Sequence, residues 1–443
     1  MTSDEVDRAV SLGSLSAKDR LVWQLETRTD VQPHLLMLFF LKEEVDEEAL
    51  RAWHRKAVDH IPTMAAKTVC SRRPGARPRW EVVPSFDPAL HIHRVRAPGE
   101  ATETEVLALA ESFSSTPFIP ARPPWEGLVI DGLDRGRSAY VLKMSHTVAD
   151  GLRLREMFLR QSAAAPMLPS VGHTTASGGR LAARGAPQGL VAAARRTRQA
   201  VLLGKNVIQD LRDPPSTPKG TGDGVERRYF TATLSMAALR ARARAGGGTV
   251  QDALVAGLVE GCQRYNAHYG AERLRMRVFS PYGRAPARPH DTSPVGNHWF
   301  IIRFDVPSGP SDCADRIAAS RAAINAVYNR NALDWMQGIA RVAPFLPPSL
   351  LQYSFRLFTS SHDFIISNIP GPRATIRLAG AEVDHVYGIA PTLGAGVTVT
   401  TVSYRDTCHV MLNIDPVMVH DVGLFKDCLR AGLVDMARPA EKE

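Results

Sequence analysis

The sequence predicts an α/β protein built as two lobes joined by a linker. Three observations carry this. At 443 residues the chain has room for two or three domains of roughly 150 residues each. Strand-like and helix-like hydrophobic patterns alternate in both halves. Between 164 and 224 the alternation stops, and Pro166, Pro169, Pro214, Pro215, Pro218, Gly220, Gly222 and Gly224 punctuate the chain. The expected division is an N-terminal lobe at 1–163, a linker at 164–224 and a C-terminal lobe at 225–443.

The elements follow in order. His34–Leu41 is apolar after its first residue, the pattern of a strand buried on both faces. Asp46–Val58 places Leu50, Trp53, Ala57 and Val58 at helical spacing. Arg79–Val83 and Gly127–Leu133 read as strands. In Ser138–Met144, Tyr140, Leu142 and Met144 alternate against Lys143, so a strand is expected, and a helix begins near Leu152. Within the linker, Gln188–Leu211 can form one helix carrying Arg195, Arg196 and Arg198. It reads either as a crossover helix packed on both lobes or as a basic amphipathic helix on a membrane surface.

In the second half, Ser235–Ala245 is helical and stops at three glycines, Gly246, Gly247 and Gly248. Thr249 with Asp252 forms a variant capping box opening a helix to about Tyr265. Strands are expected at Trp299–Val306, Phe364–Ser367, Val397–Tyr404 and His409–Ile414. A last helix starts near Asp421, with Leu424, Phe425, Leu429 and Leu433 on one side.

Composition excludes several classes. Hydrophobic residues at 44% and charged residues at 22% are those of a globular protein, not of a disordered, collagenous or coiled-coil chain. The longest apolar run, Leu35–Leu41, is far short of the ~20 residues that span a bilayer. With no leader pattern, the expected place is the cytoplasm. Cys70, Cys262, Cys313, Cys408 and Cys428 are scattered and include no CxxC pair, so neither a disulfide framework nor a cysteine metal site is expected. His91 and His93 alternate on an extended segment without further ligands, so no metal is expected either. The net charge of +9 admits nucleic acid, an anionic membrane face or an acidic small molecule or carrier. No nucleic-acid recognition motif accompanies it, so nucleic acid is set aside. The glycines of Lys219–Gly224 lack a following helix and read as linker, not as a phosphate cradle.

The chemistry concentrates in Ser145-His146-Thr147-Val148-Ala149-Asp150-Gly151, directly after the Ser138–Met144 strand. A neutral imidazole can take a proton near neutral pH. A positioned general base contributes roughly 10²–10⁴-fold. Asp150 can fix the loop or cap the next helix, and Gly151 permits a tight turn or a close approach. Alone, the HxxxDG string also fits a structural histidine ahead of a helix.

Further segments change that balance. Leu15-Ser16-Ala17-Lys18-Asp19, Pro78 to Trp80 with Phe86-Asp87 and His91, and Pro124-Trp125-Glu126 stand in the first half. Gln251-Asp252, Gly296-Asn297 and Ser367-Asn368-Ile369-Pro370-Gly371-Pro372 stand in the second. Together with the HxxxDG string they resemble, in order and over nearly the whole chain, the bacterial wax ester synthase/diacylglycerol acyltransferase family. That family lies within the CoA-dependent acyltransferase superfamily.

The resemblance implies two chloramphenicol-acetyltransferase-like lobes with a tunnel between them and His146 at their interface. Acyl-CoA as co-substrate and an alcohol-type acceptor would enter from opposite sides, with no cofactor. The catalytic set it implies is His146, Asp150 and Gly151. Its candidate substrate-binding set is Ser145, Trp125, Gln251, Asp252, Asn297, Asn368, Pro370 and Gly371. Of these, Trp125 also reads as core, and Asp150 of the catalytic set as a structural residue of the loop. Asn368 through Pro372 is expected to be a turn shaping the tunnel. Ser145 as a nucleophile is disfavoured, because adjacent side chains leaving a strand point oppositely and no G-x-S-x-G elbow occurs.

The sequence also departs from the family. The family motif opens with two histidines, and the first is Ser145 here. Gln251 replaces Asn, and Ser280-Pro281-Tyr282 replaces Pro-Val-Ser. Three functions follow. The first is transfer of a fatty acyl group from CoA to a long-chain alcohol or diacylglycerol at the inner membrane face. The second is an ester- or amide-forming acyltransferase of specialised metabolism, with a CoA or acyl carrier protein donor. The third is a non-catalytic lipid-binding relative.

Overall fold

The computed structural model describes residues 11–28, 34–70, 77–162, 227–283, 299–309, 312–329, 346–359 and 361–438. The Gln188–Leu211 segment and Asn297 lie outside the described residues.

In chain order the first half gives β1 (Ser11–Ser14), α1 (Ala17–Arg28), β2 (His34–Leu41), α2 (Glu47–His60), β3 (Ala66–Val69), β4 (Arg79–Val82), β5 (Ile92–Arg96), α3 (Glu103–Ser114), β6 (Trp125–Leu133), β7 (Arg137–Ser145) and α4 (Gly151–Gln161). The second half gives β8 (Arg228–Ser235), α5 (Met236–Ala245), α6 (Val250–His268), β9 (Arg275–Gly283), β10 (Trp299–Pro307), α7 (Cys313–Asn329), α8 (Pro348–Thr359), β11 (Phe364–Pro370), β12 (Arg377–Leu378), β13 (Ala381–Ile389), β14 (Val397–Tyr404), β15 (Thr407–Ile414) and α9 (Val422–Ala437).

Two six-stranded mixed sheets dominate, with helices packed on them. The first has the order β12-β13-β2-β7-β6-β5 and the second β10-β9-β11-β14-β15-β8; β1, β4 and β3 make a small third sheet. The expected α/β class with two sheet-based lobes is therefore present. The lobes exchange chain, however: β12 and β13 come from the second half, and β13 pairs antiparallel with β2.

Strand β2 shows why its sequence is apolar throughout. Leu35, Met37, Phe39 and Leu41 enter a core formed with Leu50, Trp53, Leu154 and Phe158 of α2 and α4. Leu36, Leu38 and Phe40 enter a second core with Val106, Leu107 and Ala110 of α3. That second core also takes Tyr229 of β8 and Met411 of β15, so it seals one lobe against the other. Each such side chain contributes roughly 1.5–3 kcal/mol by leaving water.

Local signals set the helix starts. Asp46 accepts from Ala49 N, Ser235 from Ala238 N and Asp421 from Leu424 N. Thr249 and Asp252 form the reciprocal capping box at α6. The turn expected at Asn368–Pro370 is instead the end of β11. Asn368, Ile369 and Pro370 pair in parallel with Thr401, Val402 and Ser403 of β14, and only Gly371 and Pro372 of the expected turn lie outside the strand. Neighbouring-strand pairing overrides the usual strand-breaking tendency of Asn and Pro.

Candidate active site

The Ser145–Gly151 loop connects the end of β7 to the start of α4. It is anchored on several sides. Ser145 N donates to Pro124 O at 2.9 Å, and Val148 N donates to Ser145 O at 3.0 Å. Thr63 Oγ1 donates to Val148 O at 2.9 Å, while Val148 and Ala149 bury their side chains in the core. Asp150 is the N-cap of α4, its Oδ1 accepting from Arg153 N at 2.9 Å. The capping role read from the sequence is thus present, and it fixes the distance between His146 and the helix.

Gly151 does not adopt a left-handed φ. Its value lies in close approach: a Cβ there would stand 3.3 Å from Ile369 Cδ1 of β11. The next turn of α4 makes a second tie, with Arg155 Nε donating to Pro370 O. Two segments more than 200 residues apart in sequence therefore meet. Gly371 is required more strictly, since a Cβ would lie 2.0 Å from the Ser403 carbonyl oxygen. Gly371 N donates to Ser403 Oγ at 3.0 Å, and Asn368 Oδ1 accepts from Thr401 Oγ1 at 2.9 Å.

His146 sits at the head of this loop. Burial is the main influence on its imidazole and pulls the pKa down to about 4. The charges of Asp150 and Glu26 act in the opposite direction, and His34 acts with burial. The ring is therefore neutral at physiological pH and able to accept a proton.

Ser145 is fully buried, and its hydroxyl engages protein partners. It donates to Glu26 Oε2 at 2.6 Å, lies 2.7 Å from Thr147 Oγ1, and accepts from Thr147 N at 3.1 Å. Trp125, named with the substrate-binding set, is core: it is fully buried. Its indole lies between the rings of His54 and His91 at 4.5 and 4.6 Å, and Nε1 donates to Met64 O at 2.8 Å. No face of the ring is left for a ligand.

Asp252 serves the α6 cap, receiving Thr249 N at 2.7 Å and Thr249 Oγ1 at 2.9 Å. Gln251 Nε2 reaches Ser280 Oγ at 3.5 Å, and Ser280 donates to Ile366 O at 2.9 Å. Two of the substituted family positions, 251 and 280, thus touch each other beside β11. The structure brings His146, Asp150, Gly151, Pro370 and the flank of Asn368 and Gly371 into one region. Sequence reasoning missed Glu26, His34, Thr63 and Arg155. His34 had one available signal, as the single polar residue opening an apolar strand; the others had none.

Comparison with known proteins identifies the family and the fold. Residues 15–254 match the wax ester synthase/diacylglycerol acyltransferase catalytic domain, and residues 295–437 match the WS/DGAT C-terminal domain. A Mycobacterium tuberculosis protein provisionally named a diacylglycerol O-acyltransferase is 28% identical, over 94% of this chain and 90% of its own. Among solved structures, the wax ester synthase/diacylglycerol acyltransferase of Marinobacter aquaeolei VT8 aligns with a TM-score of 0.64 at 19% identity, covering 96% of this chain and 98% of that one. The trichothecene 15-O-acetyltransferase of Fusarium sporotrichioides aligns with a TM-score of 0.67 at 10% identity, covering 99% and 98%. These two structures share the fold. Among the described residues no helix is long and apolar enough to cross a membrane. With the family model covering more than half of the sequence, the chain belongs to the wax ester synthase/diacylglycerol acyltransferase family and is an acyltransferase.

Proposed function

We propose that the protein transfers a fatty acyl group from acyl-CoA to the hydroxyl of a long-chain alcohol or diacylglycerol, with His146 as general base. The observation that carries this reading is the half-buried, neutral His146 on a loop that ends at the Asp150 cap of α4, where Gly151 and Arg155 meet Ile369 and Pro370. An alcohol loses its proton too reluctantly to attack a thioester unaided. His146 takes that proton as the oxygen bonds to the carbonyl carbon. The tetrahedral oxyanion then collapses, the carbon–sulfur bond breaks, and the imidazolium returns the proton to the departing thiolate. No covalent acyl-enzyme is required.

Gly151 serves this reading by allowing the motif loop to approach β11, and Gly371 by allowing the end of β11 to lie against β14. Asn368 and Pro370 shape the same wall, and Gln251, Asp252 and Asn297 remain candidates for the acceptor side. Because both substrates are lipids, the protein works at a membrane surface. The basic Gln188–Leu211 segment is the proposed contact, to be tested by liposome sedimentation of a variant with Arg195, Arg196 and Arg198 replaced by Glu.

The deciding experiment measures thiol release from palmitoyl-CoA with hexadecanol, diacylglycerol and short alcohols and amines, for wild type and His146→Ala. Turnover with the lipid acceptors that His146→Ala abolishes is the expected result. Wild-type turnover in His146→Ala refutes the base assignment. Turnover only with amines, short acceptors or a carrier-bound acyl group selects the specialised-metabolism reading. Acyl-CoA binding without any turnover selects the non-catalytic one.

A further inference from the structure

We propose that Glu26 is a positioning residue of the acyl-transfer site, a carboxylate clamped by Ser145 and His34 so that its charge is fixed beside His146. The proposal rests on the reading of His146 as the base. Glu26 lies in the last turn of α1, the helix whose Leu21 and Leu25 pack against Leu351 of α8. Its two oxygens are divided between two partners: Ser145 Oγ donates to Oε2 at 2.6 Å, and His34 Nε2 stands 3.1 Å from Oε1. His34 and Ser145 are register partners on β2 and β7, so their side chains share a face. The cluster is enclosed, with side-chain exposures of 4% for His34 and 10% for Glu26 and none for Ser145.

A carboxylate taken this far from water costs stability unless it is paired and hydrogen-bonded. Ser145 supplies such a hydrogen bond, to Oε2, at the position where the family motif has its first histidine. Further charges surround it. Lys143 on the same face of β7 pairs with Glu126 of β6 at 2.7 Å and feels the charge of Glu26. Asp150 approaches His146 from the loop side. Glu26 and Asp150 are the two negative charges that oppose burial at His146. When His146 takes the acceptor's proton, a positive charge forms in a half-buried site. A negative charge already fixed in place stabilises it without reorganisation. On this reading Ser145 acts through Glu26 and does not touch substrate.

The test compares steady-state kinetics of Glu26→Gln, Glu26→Asp, Ser145→Ala and the Glu26→Gln/Ser145→Ala pair, with His146→Ala alongside, using palmitoyl-CoA and the best acceptor of the panel. Glu26→Gln keeps the shape and removes the charge. A loss of about one pKa unit of support for the imidazolium corresponds to about tenfold in kcat, with KM unchanged. Glu26→Asp should recover part of that loss. Ser145→Ala should lose less than Glu26→Gln and nothing further in the pair, because its effect passes through the carboxylate. If Glu26→Gln fails to fold, Ser145→Ala carries the test, with its smaller fall in kcat expected. Wild-type kcat in Glu26→Gln or, where that variant is lost, in Ser145→Ala overturns the proposal while His146→Ala remains inactive. Wild-type activity in His146→Ala overturns the base reading itself.

Discussion

Acid is the perturbation that separates this His146 from an ordinary histidine. Burial lowers its pKa from 6.5 to about 4. An imidazole of pKa 6.5 is only about one-tenth neutral at pH 5.5, whereas one of pKa 4 is almost wholly neutral there. If the neutral ring is the base, kcat/KM, which reports the free enzyme, should stay nearly flat from pH 7.5 to 5.5. An unperturbed base would lose about tenfold over the same span. The shift amounts to about 3 kcal/mol against charging the ring. The assay is loss of thioester absorbance with a soluble short alcohol, at fixed ionic strength, with circular dichroism at each pH to confirm folding. An acid limb centred near pH 6.5 in a folded protein would refute the argument, because it would place the base in water.

The same depression has a stability consequence. As pH falls below 6.5 the unfolded chain binds a proton that the folded site refuses, so stability is lost progressively until the folded pKa is reached. His54, lowered to about 3, and His409, lowered to about 4, act in the same direction. Thermal unfolding should therefore shift to lower temperature between pH 6.5 and 4; an unfolding temperature constant across that window contradicts the burial of these rings. Gly371→Ala puts a Cβ against the Ser403 carbonyl, whose residue is paired on both sides, to Pro370 and to Cys408. It should cost about 1–3 kcal/mol in denaturant titration and disturb the Pro370 tie to Arg155. Asp150→Ala should lose about 1 kcal/mol of cap while Asp150→Asn keeps it, and both should lower kcat if the charge supports His146; full activity in Asp150→Asn would confine Asp150 to capping. Tyr140→Phe removes the hydroxyl 2.6 Å from His54 Nε2, strands a buried nitrogen at about 1–3 kcal/mol, and should leave kcat untouched, as urea midpoints and the thiol assay would show.

What the sequence revealed was mostly local. The apolar run of β2, the helix starts at Asp46 and Asp421, the Asp150 cap and the Thr249–Asp252 box each depend on residues a few positions apart, where spacing alone specifies the partner. What it hid was register. Nothing in residues 377–389 indicates that they complete the sheet of the other half; that follows only from the pairing of β13 with β2. Asn368–Pro370 looked like a turn because its residue types usually make one. It is a strand because β14 lies alongside. Trp125 stood among substrate contacts on its motif, and the flanking rings of His54 and His91 enclose it.

Ser145 shows how far the two kinds of information diverge. Read along the chain, a serine in place of the first motif histidine is a loss, and it weakens any functional assignment. Read across the sheet, the same residue faces His34 on the next strand and holds Glu26 from a helix 119 residues away in sequence. An imidazole and a carboxylate therefore both act electrostatically on His146, supplied by elements that share no motif with it. A substitution at a motif position changes which group occupies a site only when no neighbour across the sheet supplies one. For this chain the meaning of position 145 is carried jointly by 26, 34 and 145, so replacing the three together is the informative comparison with relatives that keep both motif histidines.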